Sequence, residues 1–108
     1  MRTLKELLAV LDDLGLPYVQ IQWYPAEAPD LPYVVVVPES TDNRSADNTV
    51  HMAPVRYMVE LYTRYRDMAL EAQFQSAFDE AGIFYQRTTA VIPDGYVILT
   101  RYTMTLAE

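Results

Sequence analysis

The sequence predicts an α+β domain in which two helices pack on one face of a mainly antiparallel sheet. Two segments repeat apolar residues at spacings of three and four, as helices buried on one side do. Five shorter segments alternate apolar and polar residues or are rich in β-branched residues, as strands are. With 108 residues, the chain is expected to form one domain, residues 1–108, with the element order α-β-β-β-α-β-β.

The first helix is predicted over Thr3 to Leu14. Thr3 followed by Glu6 matches a capping box, in which the threonine oxygen accepts from a backbone N–H and the glutamate reaches back. Gly15 occupies the position of a left-handed C-terminal cap, and Pro17 blocks continuation. The leucines that share one helix face are Leu4, Leu7, Leu8, Leu11 and Leu14.

Two strands and a proline-rich connector follow. Residues Tyr18 to Tyr24 alternate between apolar and polar, which predicts a half-buried strand. Prolines in the connector Pro25 to Pro32 leave little room for a hydrogen-bonded ladder. The β-branched run Tyr33 to Val37 predicts a strand covered on both faces, and Pro38 ends it or marks an edge.

A long polar segment, at about residues 39–53, separates the second and third strands. Glu39 to Met52 has no periodicity and predicts a long loop or hairpin tip, an element that in compact domains is usually functional or disordered. Asp42 to Asn48 carries oxygen ligands but lacks the glycine and terminal glutamate of a calcium-binding loop. No metal site is therefore expected there.

Alternation then predicts a third strand over Val55 to Thr63, and an apolar stripe predicts a second helix over Asp67 to Ala81. Asp67 is the expected N-cap of this helix. Gly82 follows the last apolar position of the stripe, so we expect the helix to stop there.

The last two strands are predicted over Phe84 to Ile92 and Gly95 to Leu106, joined by a hairpin turn at Pro93, Asp94 and Gly95. Short turns of this kind give mainly antiparallel pairing. The sheet face away from the helices is expected to be semi-polar, carrying Tyr, Met, Thr and Gln rather than charged residues.

The composition excludes several classes of function. The chain has no cysteine and one histidine, which excludes a disulfide scaffold, a thiolate zinc site and a multi-histidine metal site. Its 15 acidic and 8 basic residues give a net charge of -7, which argues against a nucleic-acid binder and an anionic-membrane binder. No apolar run approaches the roughly 20 residues of a membrane span, and neither a signal peptide nor a cofactor is expected.

No set of residues predicts catalysis. Asp12 and Asp13 are adjacent on a helix, so their carboxylates diverge by about 100°. His51 lies in the polar loop without a triad-like motif, and Ser40 and Ser45 lack a nucleophile-elbow setting. The protein is therefore not expected to be an enzyme.

The nine tyrosines lie in or beside the predicted strands. Some fit β-propensity and core filling, and the others are expected on the outer sheet face or at strand ends, where tyrosine suits surfaces that partners cover. Together with Trp23, Met58 and Met104, they favour a protein that assembles with copies of itself or with partners. The candidate interface residues are Trp23, Tyr24, Arg44, His51, Met58, Tyr62, Tyr85 and Tyr102.

Several short strings of residues, spread in order over nearly the whole chain, are typical of a known family. They are TLKELL at residues 3–8, GLP at 15–17, LPYV at 31–34, PES at 38–40, VELYT at 59–63 and DEAGIFY at 79–85. In their order and spacing, the chain resembles a family of small proteins of long-tailed bacteriophages and prophages, the tail terminator or tail-completion proteins of the head–tail joining region.

The resemblance implies an α+β subunit that forms a homohexameric ring. Such a ring caps the growing tail tube, stops its polymerisation and presents a surface to the head connector protein. The family carries no catalytic residues, so none is carried over. By position, Glu39 to Met52 would reach the tube or the ring lumen. The implied location is the bacterial cytoplasm during assembly and then the virion.

The features predicted from the residues are compatible with a ring. A closed ring uses a head-to-tail contact, in which one patch meets a different patch on the neighbour, and exposed strand edges are natural sites for that pairing. An acidic lumen would also suit a conduit for DNA. Two other classes stay open. One is a different neck component, such as a head-completion or adaptor protein. The other is a regulatory or ligand-binding α+β domain, with Tyr62, Tyr65 and His51 as candidate pocket residues.

Overall fold

A computed structural model describes residues 1–41, 54–93 and 96–107 of the chain. Two helices and five strands follow the predicted α-β-β-β-α-β-β order, which confirms the α+β class. The elements are α1 (Leu4–Leu14), β1 (Tyr18–Gln20), β2 (Tyr33–Thr41), β3 (Pro54–Thr63), α2 (Met68–Ala81), β4 (Gln86–Ile92) and β5 (Val97–Ala107).

Both helices start one residue after the predicted first residue, because Thr3 and Asp67 cap them. The Thr3 hydroxyl accepts from the Glu6 N–H at 3.2 Å, and Asp67 accepts from the Leu70 N–H at 3.0 Å. The Glu6 carboxylate takes its own hydrogen bond from the Thr3 hydroxyl. Gly15 closes α1 at φ 81°, a left-handed conformation that glycine adopts without steric cost.

The strands form one sheet in the order β1-β2-β3-β5-β4. β1 pairs parallel with β2, and the other neighbouring strands pair antiparallel, so the sheet is mainly antiparallel, as predicted. β1 and β4 are therefore the edge strands. Because α2 lies between β3 and β4 in the chain, it carries the backbone from the centre of the sheet to the β4 edge.

Both helices cover the same face of the sheet, as predicted. Leu7 and Leu11 of α1 and Phe74 and Phe78 of α2 are at most 2% exposed and pack into the core. The strands contribute alternate residues, as the period of a half-buried strand requires. These are Val34, Val36, Val55, Tyr57, Val59, Leu61, Tyr102, Met104 and Leu106.

β1 ends at Gln20, so its predicted extension to Tyr24 is wrong. Ile21 has φ 79°, a left-handed conformation that an extended strand does not include. The Ile21 N–H still donates to the Val36 carbonyl at 2.8 Å, and the next N–H turns back to Gln20. Alternation of apolar and polar residues does not reveal where the backbone stops being extended.

β2 continues to Thr41, so it is longer than predicted and does not end at Pro38. The register shifts between Pro38 and Ser40, which marks an irregularity in the ladder. Val34 and Val36 direct their backbone groups toward β1. By the same alternation, the backbone nitrogen of Pro38 faces the β1 side of the strand. β1 has already ended there, so the missing N–H of proline removes no bond between strands. The rest of the predicted polar loop lies outside the described residues.

Candidate assembly surface

Large apolar side chains are exposed at several places among the described residues. Their exposed fractions run from 62% for Ile21 to 92% for Phe84. Single exposed apolar residues are normal on a protein surface, whereas groups of them indicate contact sites. The set is Met1, Ile21, Tyr24, Tyr65, Met68, Phe84, Val91 and Tyr96.

The first group borders β4. Phe84 precedes this strand, Val91 lies near its end, and Tyr96 precedes β5. Residues 86–91 of the strand are all exposed, so the described part of the chain covers little of either face. An edge strand of this kind is a site where another chain can pair.

A second group, Ile21 and Tyr24, lies just beyond β1 at the opposite edge of the sheet. A third, Tyr65 and Met68, lies at the start of α2. The exposed apolar residues therefore do not form a single patch, and more than one surface of the chain is available for contacts.

The sheet face opposite the helices, here called the open face, has an ion pair at its centre. Glu60 of β3 is paired in register with Arg101 of β5. Arg101 donates to one Glu60 oxygen from two nitrogens, at 2.9 and 3.1 Å, and the Tyr62 hydroxyl donates to the other oxygen at 3.0 Å. The expectation that this face lacks charged residues is therefore wrong.

Aromatic rings continue the open face toward β1. The Tyr62 and Tyr33 ring centroids lie 5.3 Å apart, and Tyr33 meets Trp23 edge-on at 6.1 Å. The Trp23 indole N–H is buried and has no hydrogen-bond partner among the described residues. Burial is the main cause that raises the pKa of Tyr62 to about 12, and the nearby Glu60 carboxylate is the second. The Tyr62 hydroxyl therefore remains protonated at neutral pH.

On the helix side of the sheet, Glu71 of α2 is a second buried carboxylate. Its side chain is 4% exposed, and Arg66 and Arg87 bind it at 3.1 and 3.2 Å. Arg87 belongs to β4, so the ion pair ties the edge strand to α2. The Tyr102 hydroxyl donates to the Glu71 carbonyl at 3.4 Å, and burial, helped by the Glu71 charge, raises the pKa of Tyr102 to about 12.

A groove of about 620 Å³ opens beside the start of β4. It lies where β5 runs past the end of its pairing with β4, which stops at Gln86 opposite Thr103. Phe84 gives the groove an apolar wall. Arg2 and Arg56 also line it, and they are paired with Glu6 and Glu39 at 3.2 and 3.6 Å. The groove therefore offers an apolar wall beside two arginines whose charge is partly offset by carboxylates.

The structure leaves four of the predicted interface residues accessible. Tyr24 is exposed, and Trp23, Met58 and Tyr62 are half-buried on or beside the open face. These side chains can still contact a neighbouring molecule.

The other predicted interface residues have different settings. Tyr102 is fully buried, with its ring stacked 5.9 Å from Phe74, so its assignment to an interface is wrong. Met104 is also a core residue, at 3% exposed. Tyr85 is half-buried, with its ring 5.6 Å from Tyr102. The predicted contacts Arg44 and His51 lie outside the described residues.

Sequence reasoning missed Phe84, Val91, Glu60 and Arg101. The first two lie in a segment predicted as an ordinary strand, and nothing local shows that it is an uncovered edge. A glutamate in the middle of a mainly apolar strand was the available signal for Glu60, since a buried charge needs a partner. Its partner is 41 residues away in the chain, so spacing could not identify it.

In the described part of the chain, no three acidic or histidine side chains are grouped to hold a metal ion. Neither α1 nor α2 is long and apolar enough to cross a membrane. No protein-family model matches the chain, and no match is found among curated proteins.

Proposed function

We propose that this protein is a structural subunit of a bacteriophage tail, a tail terminator or tail-completion protein. Copies of the chain form a ring, with a hexamer favoured, that caps the tail tube and joins it to the head connector protein. The subunit is made in the cytoplasm of the bacterial host and ends in the virion. The order of the short strings in the sequence supports this family.

The observation that carries the proposal is the presence of separate exposed apolar groups on one small subunit. A closed ring needs a head-to-tail contact, in which one patch meets a different patch on the next copy. Tyr24, 68% exposed beyond β1, and Tyr65, 78% exposed before α2, belong to two such groups. A subunit that also contacts a tube and a connector needs further surface of the same kind.

The proposal is tested by polymerising the matching tail-tube protein with and without this chain. A terminator limits tube length in electron micrographs and forms rings on tube ends. Replacing the exposed Tyr24 with Asp should weaken this limit on tube length. Tyr24→Phe keeps the aromatic side chain and should preserve the limit. Tubes of unchanged length in the presence of the folded wild-type chain would contradict the proposal. Binding to a purified head connector without any effect on tubes would instead indicate a head-completion or adaptor protein.

A second candidate function is a regulatory binding module, and the groove beside β4 is the observation that favours it. Phe84 there suits a short apolar segment, and a carboxylate on that segment would replace Glu39 at Arg56 or Glu6 at Arg2. This alternative predicts a stable monomer at high concentration and loss of binding in Arg56→Ala. Light scattering across a concentration series separates the two candidates, because a ring-forming subunit grows beyond two copies as its concentration rises.

A further inference from the structure

β4 is an edge strand that the described part of the chain leaves open. Its pairing with β5 runs without a bulge from Gln86 to Ile92, and no described strand pairs with its outer side. Residues 86–91 are exposed on both faces. A strand that buries so little of its surface gains little from folding within one subunit, which indicates that something else covers it.

The hydrogen-bonding pattern identifies the free backbone groups. The Ala107 N–H donates to the Arg2 carbonyl on the side of β5 that faces away from β3. The N–H and C=O groups of successive residues point to opposite sides of a strand. Those of the odd-numbered β5 residues therefore point toward β4 and bond to its even-numbered residues. The N–H and C=O groups of Arg87, Thr89 and Val91 therefore point outward from the sheet.

The two edges of the sheet differ in how well they are protected. β1 has three residues, Ile21 turns its backbone away at φ 79°, and the Gln20 carbonyl is already bonded by the Gln22 N–H. β4 has seven residues and contains no proline, and its one charged residue, Arg87, is held by Glu71. Of the two edges, only β4 offers a long ladder to a partner.

We propose that β4 pairs antiparallel with β4 of a second copy of this chain, about a two-fold axis at Thr89. This register sets Thr89 opposite Thr89 of the copy and Arg87 opposite Val91. All six outward backbone groups of each β4 then find partners, and the two sheets join into one sheet of ten strands.

Charge and length favour this occupant and this register. Shifting the register by four residues would set Arg87 opposite Arg87, and like charges directly opposite are unfavourable. In the proposed register each arginine faces a valine and keeps its bond to Glu71 at 3.2 Å. The partner edge has the same seven residues, whereas β1 of a second copy offers three.

The same register brings exposed apolar residues together at both ends of the contact. Phe84 lies before β4, while Val91 and Tyr96 lie near its other end. Antiparallel pairing places the start of one strand beside the end of the other, so Phe84 of one copy lies just beyond the Ile92 end of β4 in the other, toward Tyr96. Their exposed fractions, 92% and 83%, leave both side chains free for this contact.

This contact goes beyond the proposed function, because a two-fold pair differs from the head-to-tail contact of a ring. Either proposal can fail while the other holds. A pair that forms without any effect on tail tubes would leave the pairing intact, and a working terminator without the pair would leave the ring proposal intact.

Cysteine cross-linking tests the register, since the chain has no cysteine of its own. Directly opposite residues in a hydrogen-bonded pair have Cα atoms about 5.5 Å apart, within disulfide range. We expect Thr89→Cys to form a disulfide-linked dimer under mild oxidation. Thr88→Cys is the matched control: in this register it faces Ala90 of the copy, and its own counterpart lies too far away to bridge.

Proline substitution tests the ladder. Thr89→Pro removes an outward N–H without removing a bond to β5, so the subunit should fold. The pair loses two intermolecular hydrogen bonds, and its dissociation constant should rise by at least about tenfold. Thr89→Val, which keeps the N–H, should pair like the wild type. Circular dichroism checks folding of each variant, and sedimentation velocity measures the dissociation constant.

Three results would overturn the proposal. The wild type could remain a monomer at all concentrations, Thr88→Cys could cross-link as well as Thr89→Cys, or folded Thr89→Pro could associate as tightly as the wild type.

Discussion

Arg101 and Glu60 lie directly opposite each other on β5 and β3 and form an ion pair at the centre of the open face, with 2.9 Å between the guanidinium and one carboxylate oxygen. The Tyr62 hydroxyl occupies the other oxygen at 3.0 Å. The Glu60 side chain is 10% exposed and that of Arg101 is 38% exposed, so the carboxylate depends on its partners more than the arginine does.

This asymmetry predicts that removing the arginine is costly. In Arg101→Met the Glu60 carboxylate stays buried and keeps only the Tyr62 hydroxyl, so the free energy of unfolding should fall by about 3 kcal/mol. Urea denaturation followed by circular dichroism measures the change. The double variant Glu60→Met/Arg101→Met should recover most of the loss, because an apolar pair needs no charge compensation. If the double variant is no more stable than Arg101→Met, the ion pair is not the cause.

The pair of arginines at Glu71 predicts a similar asymmetry on the helix side of the sheet. Arg66 and Arg87 are 49% and 40% exposed, so either can turn into water once the carboxylate is gone. The double variant Arg66→Met/Arg87→Met strands a buried carboxylate and should cost about 3–5 kcal/mol. Glu71→Met should cost much less. Thermal unfolding of the two variants compares them directly, and equal losses would contradict this account.

Sequence predicts the helices well because their ends are set by local chemistry. Thr3 and Asp67 lie within three residues of the N–H groups that they accept from, so their role is visible in a short window. The end of β1 is not visible in that way. Ile21 is a strong strand former by type, and its positive φ accompanies the turn that takes the chain away from β2.

The candidate surface is less predictable because burial depends on distant contacts. Tyr102 and Tyr62 both lie on strands in which apolar and polar residues alternate. Tyr102 faces the helices and is fully buried, whereas Tyr62 lies on the open face. Alternation tells that successive residues point opposite ways but not which face the helices cover. The exposure of Phe84 follows from the position of β4 at the edge, and strand order is a property of the whole sheet.

The buried tyrosines predict a loss of stability at high pH. The pKa of Tyr102 is about 12 in the folded chain, against an ordinary value of 10.0. As the pH rises, Tyr102 therefore loses its proton in the unfolded state first. Its contribution to the free energy of unfolding is complete below pH 10 and is lost as the pH rises toward 12. The free energy of unfolding of Tyr102→Phe should fall less steeply with pH over this interval. Urea denaturation at pH 8, 10 and 11 measures the slope, with the exposed Tyr24→Phe as the control for loss of one hydroxyl. Identical slopes in Tyr102→Phe and the wild type would contradict the assignment.

The positive φ of Ile21 predicts a stabilising substitution. A β-branched residue in the left-handed region carries a steric cost of about 1–2 kcal/mol, and asparagine tolerates that region better. The Ile21 side chain is 62% exposed, so its replacement loses little apolar burial. Ile21→Asn should therefore raise the free energy of unfolding by up to about 1 kcal/mol. Urea denaturation of the monomer at low concentration measures this change. Val19→Asn is the matched control: it lies on the extended part of β1, and the same substitution there should destabilise the chain because asparagine is a poor strand residue. A loss of stability in both variants would mean that the Ile21 side chain contributes more by packing than its backbone conformation costs.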